Sequence, residues 1–484
     1  KFKTGKFQEA IDAGVPLYEK TNGLQKSELS KIIGESYFNL GDFENAIPYL
    51  ENYEGVKGRW NNTDFYMLGY AYYKQKDYET AISWFNKIID GKNAVSQNAY
   101  YHLAECYMRT DKKSEALNAF RNAYQMDFDQ TIKQDAWLNY AKLSYEIGNP
   151  YESTPELIKA YLAKYPTDIS AKDLNSILVS SYLSENDYEG ALNFLSTQKN
   201  SEDYQKVAYL RGTQLFKQDS YKPAKDHFVL AQKTQNEYSA QAQFWAAESD
   251  FRMGDFQNAL TGFQAFLTNP DAVKTQEYKN INYHIAYCYF SLKDYNQAGG
   301  YFDQYIKTNP PDKNLLNDSY LRLGDSFFAL GNYYKALIPY NSAIEGNSVD
   351  ADKAAFQIAL CHGLMGDNDK KINALEGFLD TNLKSALRDD AFYELGNSLT
   401  AKNQTDKALK AYDDVIKNYP QSSLVPKSML KQGLIYFNMD QNEQALAKYK
   451  TVVRDYPNTP EAIEAISNAR QVYVEQGRVA EYEK

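Results

Sequence analysis

Three cysteines, four histidines and four tryptophans in 484 residues leave little material for several kinds of chemistry. No two histidines stand four apart on a helix, and the patterns HExxH, CxxC and G-x-S-x-G are missing. Gly5-Lys6 lacks the first glycine and the following Ser or Thr of a phosphate loop, and Gly299-Gly300 sits inside a helical pattern rather than after a strand. No run of about 20 apolar residues occurs, so nothing reads as a membrane-spanning helix. The 53 basic residues are outnumbered by 63 acidic ones, for a net charge of −10, which argues against nucleic acid as the main partner. No catalytic, cofactor-binding or metal-binding residue is therefore assigned, no cofactor is implied, and the chain is not expected to be an enzyme.

What the sequence has in quantity is tyrosine, 43 residues, with 24 phenylalanines. The stretch Asp318 to Ala343 shows how they are used. Tyr320, Leu323, Gly324 and Phe327 recur at helical spacing, Gly331-Asn332 breaks the pattern, and Tyr333, Ala336, Leu337 and Tyr340 restart it. Small residues on both segments, Gly324 and Ala336, let two backbones approach closely, so the spacing predicts an antiparallel helix pair. The unit recurs along the chain. Its first-helix small position reads Gly34, Gly69, Ala104, Ala141, Val179, Gly212, Ala247, Ala286, Gly324, Ala359, Gly396 and Gly433. The second-helix position reads Ala46, Ala81, Ala116, Thr154, Ala191, Ala224, Ala259, Ala298, Ala336, Lys371, Ala408 and Ala445. A large apolar residue follows one turn later in most units, as at Phe85, Phe228, Phe302, Tyr340, Tyr412 and Tyr449.

A period near 34 residues with two helices per unit resembles the tetratricopeptide repeat, or TPR. Phe65-Leu68-Gly69-Tyr72-Ala81-Phe85 and Phe392-Leu395-Gly396-Leu399-Ala408-Tyr412-Pro420 carry that family's pattern. The resemblance implies an all-α fold, a right-handed superhelical solenoid of antiparallel helix pairs. On this reading residues 1–26 are a partial repeat, a second helix without its first. Residues 27–460 are twelve repeats, and residues 461–484 a capping helix or partial repeat. The chain then reads as a piece of a longer solenoid. The endings Tyr419-Pro420 and Tyr456-Pro457, each followed by a polar turn, resemble repeats of bacterial periplasmic and outer-membrane-associated proteins, among them outer-membrane-protein assembly lipoproteins and cell-division coordinators. A periplasmic or outer-membrane-associated location is therefore expected, with the cytoplasm as the alternative.

In the family, first helices line the concave groove. Tyr66, Tyr70 and Tyr73 form a complete i, i+4, i+7 stripe there, Tyr101 repeats the place one unit later, and Tyr283, Tyr287 and Phe290 form a second stripe. Packing between repeats accounts for half or more of such aromatics. The choice of Tyr over Phe adds an expectation that the hydroxyls reach water in the groove, since a buried unpaired hydroxyl costs about 1–3 kcal/mol. The family's carboxylate clamp is not supported, because its Lys/Arg and Asn places hold Tyr66 and Tyr70, Tyr101 and Glu105, and Tyr283 and Tyr287. The role implied is a non-catalytic scaffold binding a protein or peptide partner; a groove for an extended peptide or a glycan is the alternative.

Smaller expectations follow from single residues. His102 and His284, each two places before the small residue of its helix, read as satisfied helix histidines. Cys106, Cys288 and Cys361, each two places after it, read as buried free thiols. Pro48 and Pro339 fall inside second helices and should bend them or give a 3₁₀ start. Gly148 to Pro155 should break the regularity, with Thr154 in place of Ala pushing that unit's helices apart and Ser153 and Glu156 forming a capping box.

Overall fold

The structure, a computed structural model, describes residues 1–88, 91–198, 200–346 and 349–482. Among them the regular structure is helical, and one isolated bridge, Val56 with Arg59, closes a small turn. The chain divides into two compact units, Lys1–Tyr204 and Gln205–Lys484. The first opens with helix Phe7–Tyr18 and continues in antiparallel pairs, from Gly23–Asn39 with Phe43–Glu51 to Leu174–Ser184 with Tyr188–Thr197. The second runs in the same way to Leu424–Asn438 with Asn442–Asp455, then Pro460–Glu475 and Val479–Tyr482. Within each unit most helices pack on the one before and the one after, so the core is a strip between neighbours rather than a central mass.

The small first-helix residue has a more specific cause than backbone approach. A Cβ added at Gly324 would stand 2.5 Å from the Tyr340 ring, at Gly69 2.9 Å from Phe85, and at Gly433 2.5 Å from Tyr449. Those rings are fully or almost fully buried. Each is a knob from the second helix filling the notch that the missing side chain leaves.

The turn within each pair is equally regular. Seven places after the small residue the backbone is left-handed: Gly41, Lys76, Asp111, Asn186, Asp219, Gly254, Lys293, Gly331, Gly366, Asn403 and Asp440 all have positive φ. The next amide bonds back five residues, as Asn332 N–H to Phe327 O at 2.8 Å, closing the helix with a Schellman motif. The fourth pair departs from this. Gly148 has φ 81 and ψ 155, which is not helical of either hand, and Gln130–Ile147 packs against Thr154–Lys164 much less extensively than Ala94–Arg109 does against Lys113–Tyr124. Asn149 organises the turn instead, donating to Tyr140 Oη and Ser144 Oγ at 2.9 Å.

One local expectation is corrected, and of the two outcomes expected at Pro48 and Pro339 the 3₁₀ start is excluded. Ser153 makes no cap bond to its own helix; Glu185 of the following pair accepts from Ser153 Oγ at 3.2 Å and from the Thr154 amide at 3.3 Å. Helices Phe43–Glu51 and Tyr333–Glu345 are α-helical through Pro48 and Pro339, without a 3₁₀ start. Each proline lies five or six residues past its helix start and removes one amide only. Among the described residues no helix is long and apolar enough to cross a membrane.

Candidate functional site

In the first unit the site grows from helix Asn62–Lys74, fixed at its start by a capping box between Asn61 and Asp64. Helical spacing puts Tyr66, Tyr70 and Tyr73 on one face. Tyr66 and Tyr70 stack at 5.8 Å between centroids, and Tyr70 and Tyr73 meet at 5.8 Å. The next first helix, Ala94–Arg109, brings His102 among them, 4.9 Å from Tyr70, 5.0 Å from Tyr73 and 6.3 Å from Tyr66. Tyr101 lies against the same imidazole at 5.3 Å. His102 Nδ1 is 2.8 Å from Glu105 Oε2. Tyr101 donates its hydroxyl to Asp135, on the first helix of the following pair. Lys74 Nζ lies 5.1 Å over the Tyr70 ring and 5.7 Å over Tyr73. Burial, with nearby carboxylates, pushes the Tyr66, Tyr73 and Tyr101 phenols well up, so they remain protonated donors.

The second unit holds a related group on Glu237–Arg252, Ile281–Ser291 and Lys313–Ala329. Tyr283 and Tyr287 meet at 4.9 Å, and Tyr287 and Phe290 at 6.5 Å. Both tyrosine hydroxyls donate to Asp318 Oδ2, that of Tyr283 at 2.9 Å. Arg322 Nε donates to Tyr287 Oη at 3.1 Å. Burial, then Asp318, raises the Tyr287 phenol to about 12. His284 sits against Phe244 at 4.9 Å, with Nδ1 3.1 Å from Glu248 Oε2, and Arg252 Nε donates to Glu248 Oε1 at 2.8 Å. Burial pushes the Glu248 carboxyl up, but its His284 and Arg252 partners outweigh that and hold it below its ordinary value. Glu248, Phe251, Arg252, Tyr283, His284, Tyr287 and Leu315 line a cavity of about 430 Å³.

The structure thus gathers Tyr66, Tyr70, Tyr73 and Tyr101 in one cluster and Tyr283, Tyr287 and Phe290 in another, one in each unit. All seven are half-buried. The hydroxyls of Tyr101, Tyr283 and Tyr287 have carboxylate partners where water was expected, because an aspartate stands near the start of the next first helix, and Tyr73 bonds Glu105. Among the described residues no tyrosine hydroxyl is buried without a partner. Sequence reasoning passed over Glu105, Glu248, Asp135, Asp318, Lys74 and Arg252. The only signal was the equivalent placing of His102 and His284, read there as ordinary satisfied histidines, which in hydrogen bonding they are. The three cysteines are free and buried, as expected. Among the described residues no cluster of three or more His, Cys, Asp and Glu could hold a metal ion.

Helix pairs closing on a small residue, with Schellman turns in phase, define a helical repeat solenoid. A family model described as the tetratricopeptide repeat matches residues 241–272, 282–311, 390–422 and 427–459, and one described as anaphase-promoting complex, cyclosome, subunit 3, matches residues 39–123. The chain is a tetratricopeptide-repeat protein, a member of a class of generally non-catalytic scaffolds that bind protein or peptide partners. No curated protein matches it. Among solved structures, the C-terminal part of a TPR repeat-containing protein from Cytophaga hutchinsonii is 15% identical with a TM-score of 0.44, over 53% of this chain and 98% of that one. Cut9-Hcn1, a hetero-tetramer of the APC/C, is 13% identical with a TM-score of 0.33, over 97% and 94%. YrrB, described as a TPR protein with an unusual peptide-binding site, is 20% identical with a TM-score of 0.32, over 38% and 89%.

Proposed function

We propose that the chain is an interaction scaffold that grips an extended peptide on the tyrosine faces of its first helices. The observation that supports this best is that the rings are partly exposed yet held. Tyr101 is tied to Asp135, Tyr283 and Tyr287 to Asp318, and Tyr70 is packed between Tyr66, Tyr73 and His102. A ring already fixed in place loses little further freedom when a partner covers it, and its face and edge offer both apolar area and polar contact. Replacing Tyr70 and Tyr287 together with alanine tests the reading. Half-buried rings should cost roughly 2 kcal/mol apiece, about half the figure for a fully buried aromatic. The variant should therefore keep its helical circular dichroism while its hold on the partner falls at least about tenfold. Unchanged partner affinity would remove the groove from the account. Titrating tyrosine fluorescence with peptides and, separately, with sugar oligomers decides the ligand class; a response to sugars alone would move the reading to glycan.

We also place this scaffold at the cell envelope, in the periplasm or on the outer membrane, from the likeness of the Tyr419-Pro420 and Tyr456-Pro457 endings to envelope repeats. Fractionation of the native host tests it; recovery solely from the cytoplasm would reverse it.

A further inference from the structure

The two tyrosine clusters follow one plan. In the first unit the small residues of the two adjoining first helices are Gly69 and Ala104, and in the second they are Ala247 and Ala286. Four places after the first of each couple stands an aromatic, Tyr73 or Phe251, and five places after it a cation, Lys74 or Arg252. Two places before the second stands His102 or His284, and three before it Tyr101 or Tyr283. Each of those tyrosines donates to an aspartate six places before the next small residue, Asp135 or Asp318.

The residues immediately after the small ones complete the plan by exchange. The first unit has Tyr70 and then Glu105; the second has Glu248 and then Tyr287. Glutamate and tyrosine have traded helices, yet in both units the glutamate reaches Nδ1 of the central histidine, at 2.8 Å and 3.1 Å. Packing alone asks for bulk at these places. It does not ask for a carboxylate–imidazole pair that survives moving the carboxylate to the neighbouring helix.

Within each cluster the acids are already occupied, Glu105 and Glu248 by histidine, Asp135 and Asp318 by tyrosine. Those hydrogen bonds use the acids' oxygens without cancelling their charge, and a cation stands at the rim of each cluster. Lys74 is exposed and lies over two tyrosine rings. Arg252 has a 52% exposed side chain; it bonds Glu248 through Nε, shares a hydrogen bond with Tyr221 and lies 6.0 Å from the Phe216 ring centroid. An aromatic wall with a cation at its edge fits a ring that has a carboxylate beside it.

We infer that each cluster is a subsite for an aromatic side chain standing next to an aspartate or glutamate in an extended peptide. The ring lies on the tyrosine wall and the carboxylate meets Lys74 in one unit and Arg252 in the other. This rests on the peptide-groove reading above and names what the groove selects. A chain of net charge −10 repels a strongly acidic tract, so the motif is a lone acid beside a ring.

The probe is a fluorophore-labelled, acetylated and amidated hexapeptide, Ser-Gly-Phe-Asp-Gly-Ser, with Phe-Asn and Phe-Lys versions, titrated into the full chain at low salt. Two sites per chain are expected, with the Asp form about tenfold tighter than the Asn form, as one charge-assisted contact provides. Lys74→Gln and Arg252→Gln should each erase the preference at one site only, and Arg252→Lys should keep it. Lys74 is exposed, whereas Arg252→Gln removes one partner of the buried Glu248, so circular dichroism checks that each variant keeps its helices. Equal binding of Asp and Asn peptides, or preference for Lys, overturns the inference. If those peptides bind alike but the Tyr70→Ala, Tyr287→Ala variant releases them, the acid preference falls and the peptide groove stands. If the variant binds every peptide as the parent does, both fall.

Discussion

Gly324→Ala should destabilise the second unit although alanine is the better helix former. The new Cβ would stand 2.5 Å from Cδ1 and Cε1 of Tyr340 and 2.9 Å from Cζ, distances that real Cβ atoms do not show. Tyr340 is fully buried, and its hydroxyl donates to Asp325 at 2.8 Å, so the ring cannot retreat without losing that bond. Overpacking costs about 1–3 kcal/mol, and a hydrogen bond to a charged acceptor about 1.5–3 kcal/mol. Alanine returns about 1 kcal/mol of helix propensity. The net is a loss of about 1.5–5 kcal/mol. Gly300→Ala is the control, because nothing lies within 4 Å of a Cβ built there and it should gain about 1 kcal/mol. Urea unfolding followed by circular dichroism reads both, and hydrogen exchange on Lys313–Ala329 localises the effect, since a solenoid need not unfold as one unit. A Gly324→Ala chain as stable as the parent would refute the notch-and-ring account of the repeat.

Other consequences are quick to check. Gln97 is fully buried; its Nε2 donates to the carbonyls of Ala123, Met126 and Asp129 at 3.2, 2.9 and 3.1 Å, and its Oε1 accepts from the Asp129 amide at 2.7 Å. Gln97→Ala should therefore cost about 3 kcal/mol of stability in urea. The carboxyl of Glu248 is held below its unfolded value, so its stabilising contribution is complete above the ordinary glutamate range near 4.5 and lost as pH falls through the folded value. The stability gap between parent and Glu248→Gln should thus shrink below that range, seen as converging melting temperatures. Burial raises the Cys106 and Cys288 thiols to about 12 and Cys361 to about 11, so a thiol reagent at pH 8 should label the native chain slowly and the denatured chain at all three.

The helix pairs were legible because their signal is local: apolar spacing, a small residue and a turn recur within one unit. The notch at Gly324 was visible, but its cause was not, since nothing in the spacing says that the ring of Tyr340 rather than the opposing backbone fills it. The left-handed turn shows in Gly331 and is hidden at Lys76 and Asp111, where the Schellman bond holds an ordinary side chain in that conformation. The cap at Ser153 was misread because its acceptor, Glu185, comes from the next pair. The site behaved in the same way. The tyrosine stripes follow from helical spacing, whereas their aspartates lie 31 to 35 residues away, as in Tyr101 with Asp135 and Tyr283 and Tyr287 with Asp318. Contacts across a repeat boundary carry no mark in the run of residues that makes them.

The most direct test of the peptide groove is site-specific photocrosslinking in the native host. A benzophenone amino acid is placed in turn at Tyr70, at Tyr287 and at Tyr334, which is 75% exposed on a second helix. The account predicts discrete crosslinks to a protein partner from positions 70 and 287 and none from 334. Crosslinks from 334 with none from either tyrosine cluster would contradict it.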